Sequence, residues 1–171
     1  MINLYKLHKE KLDYYEKYND ALELLDIQLK HYGVFDPGDV SVLKNVLHII
    51  KREPNLAFWY ADVIIKGRWE EVEPTIMKAP EMAYNYALDI IKGRWKEAEP
   101  YIMTSPYYAY YYARYITKER FPAAESIIMK NSIYAYYYAR DIIEGRWIEA
   151  EPYIMESDED WRWYCHEFKL C

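Results

Sequence analysis

The chain has 171 residues, a length that suits one compact domain or one short array of repeats. Its 28 acidic and 22 basic side chains leave a net charge of −6, which argues against broad electrostatic attraction to nucleic acid or anionic lipid. Tyrosine is unusually frequent, with 21 copies, and combines an apolar ring with a hydrogen-bonding hydroxyl.

Cysteine usage and hydropathy indicate the compartment. Cys165 and Cys171 both fall in the last seven residues, whereas a secreted disulfide scaffold would spread its cysteines through the chain. The first residues lack the apolar run of a signal peptide, and no apolar stretch approaches the roughly 20 residues of a membrane span. We therefore expect a cytoplasmic protein with no membrane association and no cofactor.

The first 53 residues precede a repeat and are predicted to cap it. Residues 3–31 have the charged, amphipathic pattern of one long helix, and the stretch from Gly33 to Gly38 is predicted to be a loop. Residues 39–53 keep the apolar spacing of a second helix of the later units. Because an array needs ends that cover its exposed faces, we assign 1–53 as an N-terminal helical cap.

A 26-residue repeat organises the rest of the chain. Four full units span 54–79, 80–105, 106–131 and 132–157, and 158–171 is a C-terminal half-repeat. One motif marks the register: Gly67-Arg68-Trp69, Gly93-Arg94-Trp95, the degenerate Glu119-Arg120-Phe121 and Gly145-Arg146-Trp147. Repeats of this length, kept without insertions, indicate a stacked array.

Each unit is predicted to form two short helices joined by a turn. Ser105 and Pro106 suit the start of a first helix, as N-cap and first helical residue. Gly93 is expected to end the preceding first helix in the left-handed conformation, and the second helix is expected to start at Trp95. Pro100 lies inside that second segment, and the sequence leaves open whether it kinks the helix or delays its regular part.

The predicted core repeats from unit to unit. Ala83, Tyr86, Ala87 and Ile90 share one face of a first helix, and the other units hold the same residue types at these places. Two alanines per unit allow close helix packing, and Trp95 and its equivalents are predicted to contribute to the core from the second helix. The sequence therefore predicts an all-α protein, a right-handed α-solenoid of helix-turn-helix repeats.

The repeated pattern Tyr-Ala-x-x-Ile-Ile-Lys-Gly-Arg-Trp-x-Glu-Ala-Glu-Pro-x-Ile is similar to short tandem helical repeats of uncharacterised proteins in large bacteriophage and viral genomes. The resemblance covers 54–171 and implies a phage or viral origin and an α-solenoid, but no shared activity. The third unit departs from the pattern at Glu119, Phe121 and Ser126, so its inter-helix turn is expected to differ. Tetratricopeptide-like repeats are a distant analogy, because their period is longer.

Residues suited to catalysis or metal binding are scattered. The histidines show no metal-ligand spacing: His8, His31, His48 and His166. Cys165-His166 with Cys171 provides too few ligands for zinc. The chain also lacks a phosphate-binding loop and a nucleophile elbow. We predict no enzyme and no metal site.

Arginine and glutamate recur at fixed places in the four units. The aligned pairs are Arg68 and Glu73, Arg94 and Glu99, Arg120 and Glu125, and Arg146 and Glu151. A row of arginines is one way to bind phosphate or carboxylate groups. We favour a structural joint instead, in which each arginine is held by a glutamate or a tyrosine hydroxyl, because a joint must repeat and a binding site need not.

The face of the first helix opposite the core varies between units, and this variable face is the predicted binding surface. In solenoids, variation on one helix per unit sets the ligand. Aromatic residues beside arginine are typical of protein-interface hot spots. The predicted binding residues are Trp59, Asn85, Leu88, Tyr107, Tyr111, Arg114, Tyr137, Arg140, Trp163 and His166. Among them, Tyr111, Arg114, Tyr137 and Arg140 are expected to lie side by side.

These patterns favour a non-catalytic protein-binding repeat module. The resemblance implies that a phage encodes it as an inhibitor or modulator of a host protein, such as a defence protein, in the host cytoplasm. Two alternatives stay open. The tyrosines and arginines suit nucleic-acid or nucleotide binding, and the glutamate-rich second helices suit a DNA mimic. The sequence does not predict the oligomeric state.

Overall fold

The computed structural model describes residues 47, 48 and 50–170. Several predictions fall outside these residues: the helix over 3–31, the loop from Gly33 to Gly38 and the thiol of Cys171. The described residues are helical and contain no β-strand, so this part of the protein is all-α. None of its helices is both long and apolar enough to cross a membrane.

The chain divides into two compact units, with the boundary between Ile76 and Met77. In the first unit, helix α1 (Pro54–Tyr60) continues into a π-helical turn (Ala61–Ile65). A 3-10 turn (Glu70–Val72) then leads into α2 (Glu73–Ile76), which packs against α1. Ile50 is buried in this unit, together with most of α1.

The second compact unit alternates first and second helices of the repeat. The first helices are α3 (Pro80–Asn85), α5 (Pro106–Tyr112), α7 (Ser132–Tyr138) and α9 (Asp158–Phe168). The first three of them continue into π-helical turns, at Tyr86–Ile91, Ala113–Thr117 and Ala139–Ile143. The second helices are α4 (Glu99–Ile102), α6 (Pro122–Ile128) and α8 (Glu151–Ile154). Each first helix packs against the next first helix along the chain.

Proline delays the second helix rather than kinking it. Helix α4 begins at Glu99, with Pro100 in its first turn, which is the delayed start that the sequence left open beside a kink. Proline lacks an N–H and clashes with a preceding helical turn, which confines it to this position. The third unit has Ser126 in place of this proline and carries Pro122 instead, and α6 accordingly begins at Pro122. Its inter-helix turn therefore differs, as expected.

The first helix of each full unit ends one residue earlier than predicted. Lys92 has a φ of 57°, in the left-handed region, whereas Gly93 lies outside that region. The N–H groups of both residues bond to the carbonyl of Ala87, which closes a π-helical turn. The prediction of a left-handed glycine is wrong because this wider turn reverses the chain at the lysine. The equivalent left-handed residues are Lys66, Lys118, Glu144 and Lys169.

The predicted core is buried in the described units. Ala83, Tyr86 and Ala87 on the first helix are buried, and so is Trp95 after it. Ile90, which lies within the π-helical turn, is only half-buried. The same positions of the third and fourth units are also buried: Ala109, Tyr112, Ala113, Phe121, Ala135, Tyr138, Ala139 and Trp147.

A polar joint repeats between successive units. Arg94 Nε donates to Glu99 Oε1 at 2.6 Å, within a bidentate pair. The hydroxyl of Tyr112, from the next unit, accepts from the backbone N–H of Trp95 at 2.7 Å and donates to the same Glu99 oxygen at 3.3 Å. Burial raises the pKa of Tyr112 to about 12. As predicted, the arginine is held by a glutamate. Two further joints repeat this geometry: Arg120, Glu125, Phe121 and Tyr138, and Arg146, Glu151, Trp147 and Tyr164.

Candidate binding surface

Tyrosine rings from α3, α5 and α7 form one connected group in the second compact unit, which we name the tyrosine surface. It consists of Tyr84, Tyr107, Tyr108, Tyr111, Tyr115, Tyr134 and Tyr137, each with its ring centroid within 6.5 Å of another member. Offset and edge-on contacts at such distances are the arrangements that aromatic rings prefer. The rings therefore support one another as a continuous layer.

A row along α5 and its π-helical turn presents this surface to solvent. Tyr107 and Tyr111 lie 4.5 Å apart, and Tyr111 stacks on Tyr115 at 5.8 Å with an angle of 9° between the rings. Residues four apart share a helix face, which explains the row. Tyr107 is 41% exposed and Tyr115 is 45% exposed. Each therefore offers an apolar ring and a hydroxyl at the surface.

Contacts between units hold the row in place. The ring of Tyr84 on α3 lies 6.5 Å from the ring of Tyr111, and burial raises the pKa of the Tyr84 phenol to about 12. On the other side, Tyr134 of α7 meets Tyr107 edge-on at 5.5 Å. The row is therefore braced by both neighbouring first helices.

A polar cluster lies beside the tyrosine surface, where α5 and its π-helical turn meet the turn that follows α7. Its centre is the carboxylate of Asp141, which accepts hydrogen bonds from the Tyr110 hydroxyl and from Arg114. The same carboxylate accepts from Arg140, at 2.6 Å from Nε and 3.1 Å from Nη2. We call Tyr110, Arg114, Arg140 and Asp141 the polar cluster. The two arginines that we expected to be neighbours are thus linked by one acid.

Electrostatics in the polar cluster favour the ionised acid. Burial alone would raise the pKa of Asp141, but hydrogen bonds from Arg140 and Tyr110, and the charges of Arg140 and Arg114, outweigh burial and lower it. Burial and the hydrogen bond to Asp141 raise the pKa of Tyr110. Two arginines against one aspartate leave a single net positive charge at this site.

Among the described residues, the contacts of the polar cluster are found at one junction, although one unit later Arg140 and Glu167 stand at the places of Arg114 and Asp141. One unit earlier, Leu88 stands in place of Arg114 and Tyr115 stands in place of Asp141. Between the units of α3 and α5, leucine and tyrosine therefore stand where the next junction has the contact of Arg114 with Asp141. This difference contrasts with the Arg94–Glu99 type of joint, which is the same wherever it occurs. Variation of this kind is expected where repeats meet a ligand.

The predicted site residues fall into three groups. Trp59 is only 4% exposed, so its predicted place on an exposed face is wrong; a large indole gains more by burial in the core. The exposed members are Tyr107, Trp163 and His166, and the partly exposed members are Asn85, Leu88, Tyr111, Arg114, Tyr137 and Arg140. Trp163 on α9 lies 6.4 Å from Tyr136, next to the end of the tyrosine surface.

Sequence reasoning missed the residues that connect the predicted ones. Tyr110 contacts Tyr111 at 4.9 Å and Tyr137 at 5.9 Å, so it joins two predicted tyrosines that come from different units. Asp141 joins the two predicted arginines. The i, i+4 spacing of Tyr110 and Arg114 could have indicated the first of these.

A small pocket opens at the junction of α3 and α5. Its volume is about 210 Å³, and its lining residues are Leu88, Lys92, Gly93, Tyr115, Ile116 and Lys118. Half of these lie in or directly after the π-helical turn that follows α3, and half lie in or directly after the turn that follows α5. Tyr115 belongs to the tyrosine surface, so the pocket adjoins that surface.

The described residues do not bring three histidine, cysteine, aspartate or glutamate side chains together as a metal site. His48 and His166 are both exposed, and Cys165 is buried. The described residues form helical repeats that carry the tyrosine surface, with Tyr107 and Tyr115 exposed, and the polar cluster. No family model matches the chain, and neither a curated protein nor a solved structure does.

Proposed function

We propose that this chain is a non-catalytic protein-binding module, and that its partner docks on the tyrosine surface and the polar cluster. The observation that carries the proposal is the exposed row on α5, where Tyr107 and Tyr115 are each more than two-fifths exposed. Tyrosine supplies a large contact area and a hydroxyl with few rotatable bonds, so little conformational entropy is lost on binding. Tyrosine and arginine are also the residue types that dominate interface hot spots.

The scaffold that carries this surface is, in our proposal, a right-handed α-solenoid of 26-residue repeats capped by residues 1–53. The support comes from the second compact unit, where successive first helices pack on one another and the Arg94–Glu99 type of joint recurs in register. A site on packed helices is held more rigidly than a site on loops. Rigidity of this kind lowers the entropic cost of association.

The resemblance to repeats of large bacteriophages points to the class of partner. We propose a host protein, with defence proteins the first class to search, and a site of action in the host cytoplasm. Inhibition requires only that the docked chain covers a functional surface of its partner. No catalytic group is needed for that effect.

Charge pairing argues against both alternatives. Nucleic-acid binding would need arginines free for phosphates, but Arg114 and Arg140 share the carboxylate of Asp141. A DNA mimic would need a row of uncompensated acids. Glu99 and its equivalents are instead each paired with an arginine two to three ångströms away. Protein binding requires neither a row of unpaired arginines nor a row of unpaired acids.

Affinity capture with a matched control tests this proposal. Tyr107 and Tyr101 are 41% and 42% exposed, but Tyr107 belongs to the tyrosine surface whereas Tyr101 lies on the second helix α4. Wild type, Y107A and Y101A are immobilised, and proteins retained from a host lysate are quantified by mass spectrometry. We expect one protein to be retained by wild type and Y101A and lost by Y107A. Equal retention by both variants would contradict the proposal.

A further inference from the structure

The pocket between the turns after α3 and α5 is small enough for an amino-acid side chain rather than a typical small-molecule ligand. Its volume of about 210 Å³ is below the roughly 300–1,000 Å³ typical of small-molecule sites. Leu88, Tyr115 and Ile116 give it an apolar lining, and the two cationic residues Lys92 and Lys118 also line it. Such a pocket suits one apolar side chain with negative charge close beside it.

The two lysines are available to an anion. Neither Lys92 nor Lys118 forms an ion pair with any described residue, whereas the nearby Arg94 is paired with Glu99 at 2.6 Å. Glu119, which follows Lys118, forms an ion pair with Arg94, with Oε1 3.6 Å from Nη1. On a chain with a net charge of −6, the pocket is a local site of uncompensated positive charge. Opposite charge on a partner would complement it.

The backbone is left-handed at both lysines. Lys92 and Lys118 have φ values of 57° and 55°, in the region that favours glycine. Gly93, directly after Lys92, has open space where a Cβ would stand and does not use the left-handed region. The same conformation recurs at Lys66, Glu144 and Lys169, so it belongs to the repeat. The pocket is distinguished by the residues that line it.

We propose that this pocket binds one apolar side chain of an acidic segment in the partner protein, with flanking carboxylates paired to Lys92 and Lys118. This inference rests on the proposed protein-binding function and specifies the chemistry of the partner. The apolar side chain would contact Leu88 and Tyr115, which places the segment along the edge of the tyrosine surface. Phosphate groups of a nucleic acid would also be attracted to the lysines, but they would leave the apolar lining unused.

Titration of the ¹⁵N-labelled full chain tests the pocket directly. The probes are the capped peptide Glu-Glu-Leu-Glu-Glu, a twin with lysine in place of each glutamate, a twin with alanine in place of leucine, and oligothymidylate. We expect the acidic peptide to give saturable amide shifts at Gly93, Ile116 and Lys118. The alanine twin should bind about fivefold more weakly, since it lacks the apolar contact. The basic twin should give no saturable shift.

A charge-reversal pair provides the matched control. K92E/K118E should weaken binding of the acidic peptide by about tenfold, because two favourable contacts become repulsive. Glu144 already occupies the equivalent left-handed position, so glutamate is compatible with this backbone. K96E/K130E changes the net charge equally at two exposed lysines outside the pocket and should leave binding unchanged.

Four outcomes of the titrations would overturn the pocket inference: no saturable shift, equal shifts with the basic twin, equal losses in both double variants, or tighter binding of oligothymidylate at the same amides. Failure of the proposed function would look different. If Y107A loses the captured partner and K92E/K118E retains it, protein binding stands and the pocket inference fails. If Y107A and Y101A retain the same proteins, the proposed function fails, and the peptide titration still decides the pocket.

Discussion

The Tyr112 hydroxyl accepts a hydrogen bond from the backbone N–H of Trp95, 17 residues earlier in the chain, at 2.7 Å. The second helix begins only at Glu99, so this buried N–H has no partner within a helix. A residue of the next unit thus completes the turn of the unit before it. Stability that depends on neighbouring repeats in this way is characteristic of stacked arrays.

Removing that hydroxyl should destabilise the protein. Y112F keeps the ring but leaves the Trp95 N–H buried without an acceptor, so the free energy of unfolding should fall by about 1–3 kcal/mol. Urea unfolding followed by circular dichroism measures the change. Y101F, at an exposed tyrosine, should unfold like the wild type. Identical curves for the two variants would mean that water satisfies the Trp95 N–H.

The arginine of the same joint should matter less. The Arg94 side chain is 42% exposed, so solvent screens its pair with Glu99, and R94A should lower stability by no more than about 1 kcal/mol. E99A should destabilise more, since it also removes the acceptor of the Tyr112 hydroxyl. Melting temperatures give the ranking, and partner capture should be unchanged by R94A. Loss of capture by a stable R94A protein would assign this arginine to the binding site.

Two substitutions directly after the π-helical turn Tyr86–Ile91 test the backbone geometry. K92G should raise the free energy of unfolding by about 0.5–1 kcal/mol, because glycine adopts positive φ without strain. G93A should change it by less than about 0.5 kcal/mol, since Gly93 is not left-handed and has room for a methyl group. Denaturant unfolding measures both. The reverse ranking would restore the original assignment of Gly93 as the left-handed residue.

Acid should remove the contribution of Asp141. Its folded pKa is lowered below the unfolded value of 3.8, so its stabilising effect is present above about pH 4 and is lost as the pH falls through the folded pKa. D141N should therefore be less stable than wild type at pH 7, with a gap that narrows toward pH 2. Urea unfolding at several pH values measures the gap, and E97Q, at an exposed acid, is the control. A gap that stays constant with pH would contradict the assigned role.

The repeat and its core could be predicted from the sequence because they depend on local spacing. Ala83, Tyr86 and Ala87 are buried as their helical periodicity indicates. The Arg94–Glu99 pair was also predictable, since both residues belong to one unit. The end of the first helix could not be predicted. The preference of glycine for helix ends does not distinguish a π-helical turn that closes at Lys92 from an α-helix that closes at Gly93.

Contacts between units were harder to predict for a geometric reason. Alignment of the repeats places Tyr111 above Tyr137, but one residue along a helix rotates the side chain by about 100°. Tyr110, not Tyr111, makes the contact with Tyr137. The role of Asp141 was missed for the same reason, because its carboxylate contacts Arg114 of the preceding unit rather than a residue of its own unit. The rotation of each helix about its own axis is not encoded in the 26-residue register.

The affinity of purified Y107A for the captured partner, measured by calorimetry beside Y101A, tests the central claim most directly. If the tyrosine surface is the docking site, Y107A should bind at least about thirtyfold more weakly, as expected for a hot-spot tyrosine. Its unfolding free energy should fall by only about 1 kcal/mol, through lost ring contacts, and Y101A should bind like the wild type. Wild-type affinity in a folded Y107A protein, or equal losses in both variants, would contradict the claim.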